Sequence, residues 1–327
     1  MLSMLQIGRR QGKPGKRNKR KGSDTMLPIV IIGMATIASL IEPRFLSVDN
    51  LINLARQMVP LLIISLGQAF AIISGGLDLS LAAVMSLAGV LGVLAMNDMG
   101  PVVGIAVMLL TGATMGLISG CVIAIFKTSP LVVTLGMLSV AQALALILSG
   151  GIPLYEIHPG YADVVGFANL AGIPVMVWIG VVSAIVGAFV LRHTVFGRHV
   201  YAIGSSVSAA SKSGVNVRLS TILVYVFSGV CAAICAVVLT AWTGSAQPIA
   251  APNLTLESLA AVVLGGVALT GGAGGIRQVV YGVIILSMLS NVMNMIGVSA
   301  YYQTLVIGLV IILAVILDRI RDRGKED

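Results

Sequence analysis

Charge is what this sequence most lacks. Only 10% of its 327 residues are Asp, Glu, Lys or Arg, against roughly 25% in an average soluble domain. Hydrophobic residues make up 57%, and the mean hydropathy is +1.04. Such a composition cannot furnish a water-solvated surface, which excludes a soluble globular protein and predicts a polytopic membrane protein. Cysteine is also scarce. Cys121, Cys231 and Cys235 all fall in apolar runs, and the last two, four apart on one helix face, are too distant for a disulfide. They are read as small packing residues. The three histidines, His158, His193 and His199, have no cysteine or carboxylate at ligand spacing. No metal site and no catalytic set is therefore expected. The glycine-rich "ALTGGAGG" lacks the Lys-Ser or Lys-Thr of a phosphate-cradling loop, so no cofactor is expected in this chain.

What the sequence does have is long uncharged runs, at 25–41, 57–77, 79–97, 99–126, 128–155, 164–191, 219–256, 258–276 and 278–317. A membrane-spanning helix takes about 20 residues. Most runs hold one helix, and 278–317 holds two, broken at "IGVSAYY". The expected fold is all-α with ten transmembrane helices, near 26–41, 51–73, 79–96, 102–126, 130–149, 173–191, 219–241, 257–270, 278–296 and 302–318. They form one membrane domain, 26–318, between a basic tail at 1–25 and a short tail at 319–327. The first apolar stretch runs into "EPRF" without a small-x-small cleavage site, so it is read as an uncleaved span. Ten spans leave no extramembrane domain, and any energy source must lie in the bundle or in a partner.

Basic residues set the expected orientation. The tail "RRQGKPGKRNKRKG" next to a first span reads as a topology signal rather than as a nucleic-acid arm. With both termini cytoplasmic, 18 of the 20 Lys and Arg fall on the inner side: the tail, Lys127, the 192–218 loop, Arg277 and the C-terminal cluster. Only Arg44 and Arg56 lie at the first outer loop. Glu42, Asp49, Asp98, Glu156, Asp163 and Glu257 fall on the outer side.

Two copies of "SLAAV", at 80–84 and 258–262, each follow an acid, Asp78 or Glu257. They lie in spans of opposite direction, as a five-plus-five inverted repeat requires, and transporters built this way carry solute at the repeat interface. Glycines at 112, 116 and 120 predict close helix packing. A polar side chain inside a membrane must be paired or face water. Ser65, Gln68 and Ser74 in span two, Thr134, Ser139 and Gln142 in span five, Asn291 and Asn294 in span nine and Gln303 in span ten can thus line a solute path or glue helices together. With so few ionisable groups, an uncharged solute fits better than an ion. In "ISGGLDLS" the glycines break the helix, and topology puts Asp78 at the cytoplasmic side, at the start of the next span. There it serves as a helix cap or as a gate.

Five segments in order carry a resemblance: "SGGLDLS" at 74–80, "PLVVTLGML" at 130–138, "FGRHVYAIGSSVSAASKSGV" at 196–215, "AVVLGGVALTGGAGGI" at 261–276 and "NVMNMIGVSAYYQ" at 291–303. Over Asn50 to Asp318 the chain resembles the permease subunits of ribose-type ABC sugar importers and, more distantly, the branched-chain amino acid permeases. The resemblance implies an importer in the bacterial inner membrane. Its partners would be a second permease chain, a cytoplasmic ABC ATPase that binds ATP and Mg, and a periplasmic or lipoprotein solute-binding protein. It also implies that the 192–218 loop couples to the ATPase, through Gly197, Arg198, Gly204, Ala209, Ala210, Ser213 and Gly214. The chain departs from the family pattern at Ser205 and Ser206, at Leu81 to Ala83 and at Trp242 and Thr243, which weakens the transfer of any one sugar. Alternatives are a self-sufficient secondary transporter, or an ABC permease for branched-chain amino acids or nucleosides.

Overall fold

The computed structural model describes residues 20–323, so most of the expected basic tail and the last four residues lie outside the described residues. Every long uncharged run becomes helix. α1 (Arg20–Ile41), α2 (Val48–Ile73), α3 (Leu81–Met99), α4 (Pro101–Phe126) and α5 (Pro130–Ser149) make the first half. A connection holding the one-turn α6 (Pro159–Tyr161) and a two-strand hairpin, Asn169–Leu170 with Ile173–Pro174, leads to α7 (Val175–His193). Then come two short helices, α8 (Val195–Ser205) and α9 (Val207–Lys212). α10 (Val217–Thr243), α11 (Leu254–Leu264), α12 (Ile276–Met295) and α13 (Ala300–Arg323) complete the chain. Among the described residues, seven helices are long and apolar enough to cross a membrane, and Met26–Ile41, Leu254–Leu264 and Ala300–Val310 are shorter apolar helices. These ten match the ten expected spans one for one.

Span eight is the exception in extent. It was expected over 257–270, yet α11 stops at Leu264. Gly266, Gly271, Gly272 and Gly274 all have positive φ, a conformation that no helix continues through. The apolar run goes on; the helix cannot.

α10 is the hub, packed against α2, α3 and α4. The expected glycine stripe makes the tightest seam. Gly112 abuts the Gly229 carbonyl, Gly116 the Tyr225 carbonyl, and a Cβ on Gly120 would lie 2.8 Å from Ile222 Cα. Without hydrocarbon exclusion to drive helices together, close backbone contact of this kind supplies the dispersion energy that holds them. α2 is buried without interruption from Val59 to Ile73, whereas α5 and α7 turn Leu135, Ile147, Ile185 and Phe189 outward, as lipid-facing helices do.

The end of α2, the start of α5, the end of α8 and the loop after α11 meet at one end of the bundle: Gly75, Gly76, Pro130, Gly204 and Gly271 are mutual neighbours there. Lys127, Arg192, Arg198, Lys212, Arg218 and Arg277 belong to the same end, here called the basic end. At the opposite end Asn50 and Asn291 exchange side-chain hydrogen bonds of 3.0 and 3.1 Å, joining the start of α2 to the end of α12.

Each half contains one broken pair. α2 and α3 are interrupted at 74–80, and α10 and α11 at 244–253. This is the arrangement that an inverted repeat demands, although the two "SLAAV" copies are out of register with it. α3 begins one residue after Ser80, while α11 begins four residues before Ser258.

Candidate functional site

The break at 74–80 does not stay at the basic end, as topology alone suggested. Gly75 and Gly76 turn there, but Leu77 to Ser80 form a non-helical stretch that leads into the bundle, and α3 starts inside it on the buried Leu81. Asp78 is 3% exposed and accepts three hydrogen bonds: from Ser80 N at 3.0 Å, Ser80 Oγ at 2.6 Å and Ser228 Oγ of α10 at 2.7 Å. Ser228 lies eleven residues into the 27-residue α10, about 16 Å along a helix about 40 Å long at 1.5 Å per residue. Asp78 thus sits near mid-depth, where three donors offset much of the cost of burying a carboxylate.

Nor does Asp78 cap the body of α3. Its reach ends at Ser80, and the free N–H of Ala82 donates instead to Thr255 Oγ1 of α11 at 3.0 Å. The two broken pairs therefore meet start to start at mid-depth, each half of the chain completing the other. The 244–253 segment descends to this junction from the opposite end, tied at three heights. Ala246 bridges to Leu154, Pro248 O accepts Gln142 Nε2 at 2.5 Å, and Ala250 N donates to Ser86 Oγ at 3.1 Å. Tyr161 braces the outer connection by donating to Val237 O and meeting Thr240 Oγ1 at 2.8 Å. Burial pushes its phenol up to about 12, so it stays protonated and available as a donor.

Among the expected path residues, Thr134 and Ser74 surround the break. Thr134 Oγ1 bonds Pro130 O at 2.9 Å and reaches Leu77 O at 3.4 Å, and Ser74 Oγ closes on Ala71 O at 2.7 Å. Gln68 is fully buried at the same depth. The others lie apart. Ser139 is on the exposed face of α5 and bonds its own helix, Asn291 is spent on Asn50, and Asn294 accepts from Gln303 across the α12–α13 turn at 2.7 Å. Ser80, Tyr225, Ser228 and Thr255 belong to the junction and were not singled out from sequence.

Two cavities of about 130 and 110 Å³ flank the junction. The first is lined by Gln57, Pro60, Leu61, Leu254, Glu257 and α12 residues, and the second by Ser86, Thr240, Thr243, Ser245 and Gln247 with apolar neighbours. Both are smaller than the roughly 300 Å³ at which small-molecule pockets begin.

The 192–218 segment is not a loop but a capped helix pair. Thr194 Oγ1 receives Gly197 N at 3.1 Å, Ser206 Oγ receives Ala209 N at 3.2 Å and Asn216 Oδ1 receives Leu219 N at 3.0 Å, so each helix begins on its own cap. Gly197 packs on the Leu191 carbonyl and Ala210 is buried, while Arg198, Ala209, Ser213 and Gly214 are exposed. Gly204 faces inward against Ile73 O and Gly272 N, the two atoms of a 2.8 Å hydrogen bond between the halves.

Comparison with known proteins agrees with this architecture. Residues 50–315 match the family model described as branched-chain amino acid transport system / permease component. The ribose import permease of Bacillus subtilis is 38% identical over 88% of this chain and 89% of its own length. The ribose import permease of Haemophilus influenzae is 34% identical over 89% and 91%, and the L-arabinose transport system permease of Escherichia coli 34% over 91% of both. No solved structure matches the chain. With ten apolar helices, two interlocked broken pairs and a match along nearly its whole length, the chain belongs to this family of membrane permease components.

Proposed function

We propose that the chain is the solute-conducting subunit of an ABC importer for a monosaccharide, working by alternating access in a bacterial inner membrane. Its basic end faces the cytoplasm, as the positive-inside rule requires. A second permease chain completes the path, a cytoplasmic ATPase binds ATP and Mg and docks on the exposed surface of α8 and α9, and a solute-binding protein delivers the sugar at the opposite end. The sugar class is taken over from the relatives, whose names specify ribose or arabinose. The hydroxyls and amides around the junction are consistent with it, because they both donate to and accept from the hydroxyl groups of a sugar.

One observation carries the mechanism. Gly204, at the end of α8, rests on the hydrogen bond from Gly272 N to Ile73 O. Ile73 ends α2 and Gly272 lies just past α11, so a push on α8 reaches both broken pairs at once. Displacing that contact would part α11 from α2 and free the Thr255 to Ala82 contact at mid-depth, opening the path between the halves. Gly197, Arg198, Ala209, Ala210, Ser213 and Gly214 form the surface and the scaffold through which the ATPase delivers the push.

The test is reconstitution in proteoliposomes with a cognate ABC ATPase and solute-binding protein, followed by ATP-dependent uptake of labelled D-ribose, D-allose and L-arabinose. Uptake of one of these that needs both partners is the expected result. Uptake without the ATPase, or of leucine or a nucleoside alone, would overturn the proposal.

A further inference from the structure

Two residues of α2 stand out for what they do not touch. Ser65 and Gln68 are both 0% exposed. Ser65 Oγ, Gln68 Oε1 and Gln68 Nε2 have no hydrogen-bond partner among the described residues, and they are three of only five such buried side-chain atoms. Three residues apart, they share a helix face. Level with them, beside Gly67, Asp78, Ser80 and Ser228 are all paired. A bundle that satisfies its central polar groups so thoroughly has left one pair open.

Packing fixes where that pair looks. A Cβ on Gly67 would lie 3.1 Å from Ser228 Cα, and Cys235 Sγ reaches Pro60 O, so one side of α2 is covered by α10. Val59 and Leu66 pack on Gly180 and Gly187 of α7. At 100° per residue, Gln57, Leu61, Ile64 and Gln68 fall together on a third sector, with Ser65 on its flank. That sector faces α11 and α12, the other helices packed closely on α2. Gln57 and Leu61 line the cavity against Leu254, Glu257 and Ser287. Gln68 continues the same stripe about 10 Å nearer the basic end, behind Leu61 and Ile64.

We propose that Ser65 and Gln68 form an occluded station for the hydroxyl groups of the transported sugar, entered from the Gln57–Glu257 cavity when α11 moves off α2. A carboxamide offers two donors and an acceptor, and a serine hydroxyl can do both. This set pairs with adjacent hydroxyls, each of which also donates and accepts, and the pair itself carries no charge. The lid over the station is α11, whose following loop packs on Gly204 through Gly272. The station rests on the importer reading given above.

The experiment uses the whole assembly in proteoliposomes, with whichever of D-ribose, D-allose or L-arabinose the wild type carries and an analogue lacking one hydroxyl. Gln68→Leu should cut uptake at least tenfold, leave stimulation of ATP hydrolysis by loaded binding protein within twofold, and raise the melting temperature, because an unpaired amide is gone. Ser65→Ala should cut uptake about threefold and reduce the preference for the parent sugar over its analogue. Wild-type uptake and preference in both variants would overturn the station, and so would lost uptake accompanied by a lowered melting temperature in both, the mark of a packing role. If the wild type carries no sugar, the importer reading itself falls, and the station with it.

Discussion

Gly204→Ala is the sharpest probe of the coupling route. The new methyl carbon would fall within hard contact of Ile73 O and 2.5 Å from Gly272 N. Ordinary van der Waals separation is nearly 1 Å greater, and both obstacles are backbone atoms that cannot rotate aside. Either α8 lifts or the hydrogen bond between Gly272 and Ile73 breaks. Overpacking costs about 1–3 kcal/mol and a buried backbone bond left unmade about 1–3 kcal/mol, so either response costs about 1–3 kcal/mol. That is enough to hold the junction in the wrong state. In the reconstituted assembly, sugar uptake should fall at least tenfold and loaded binding protein should no longer accelerate ATP hydrolysis, while membrane insertion is kept. The comparison variant is Gly172→Ala in the hairpin turn. There φ is +78° and nothing lies within 4 Å, so the substitution costs only backbone strain of about 1 kcal/mol and should leave uptake within twofold. Equal melting and equal uptake for Gly204→Ala and wild type would refute the reasoning outright.

Three further outcomes follow from the same packing. Asp78→Asn keeps the acceptor for Ser80 and should fold with a loss of about 1–2 kcal/mol, whereas Asp78→Ala strands Ser80 and Ser228 and should cost about 3 kcal/mol or more, seen as poor recovery of folded protein from membranes. Thr255→Val removes the partner of Ala82 N without changing shape, and a drop in thermal stability worth about 1 kcal/mol is expected. Asn50→Leu should cost about 1–3 kcal/mol by leaving the Asn291 amide unpaired. Adding Asn291→Leu should restore much of that loss, and simple additivity of the two in melting experiments would contradict the pairing.

The helices were legible in the sequence because the signal for a span is length without charge, and that signal survives any tertiary arrangement. It failed at α11 for the same reason. "GGVALTGGAGG" is apolar enough to extend the run to 270, yet hydropathy is blind to backbone conformation, and the glycines take positive φ from Gly266 onward. The depth of Asp78 was hidden similarly. Charge bookkeeping placed the 74–80 turn correctly at the basic end, but a turn was assumed to stay where it begins. Two residues past Gly76 the carboxylate is already held inside the bundle by Ser80 and by Ser228 of α10. Gly204 was reachable only through family resemblance, since the atoms that require a glycine there belong to residues 73 and 272.

The polar residues of the spans show what a fold adds to a composition. From sequence, each amide or hydroxyl in a membrane helix reads equally as glue between helices or as lining of a path, because both roles ask for the same side chains. The difference lies in whether a partner is present at hydrogen-bonding distance. Asn291 and Gln68 are both buried carboxamides on central helices, and in sequence they are indistinguishable. Asn291 meets Asn50 in two reciprocal bonds and is thereby consumed as a fastener. Gln68, next to Gly67 where α2 packs on Ser228 of α10, keeps its donor and acceptor unspent. An unspent pair is costly to a static core and useful to a moving one, which is why Gln68 suits a step in which α11 moves off α2.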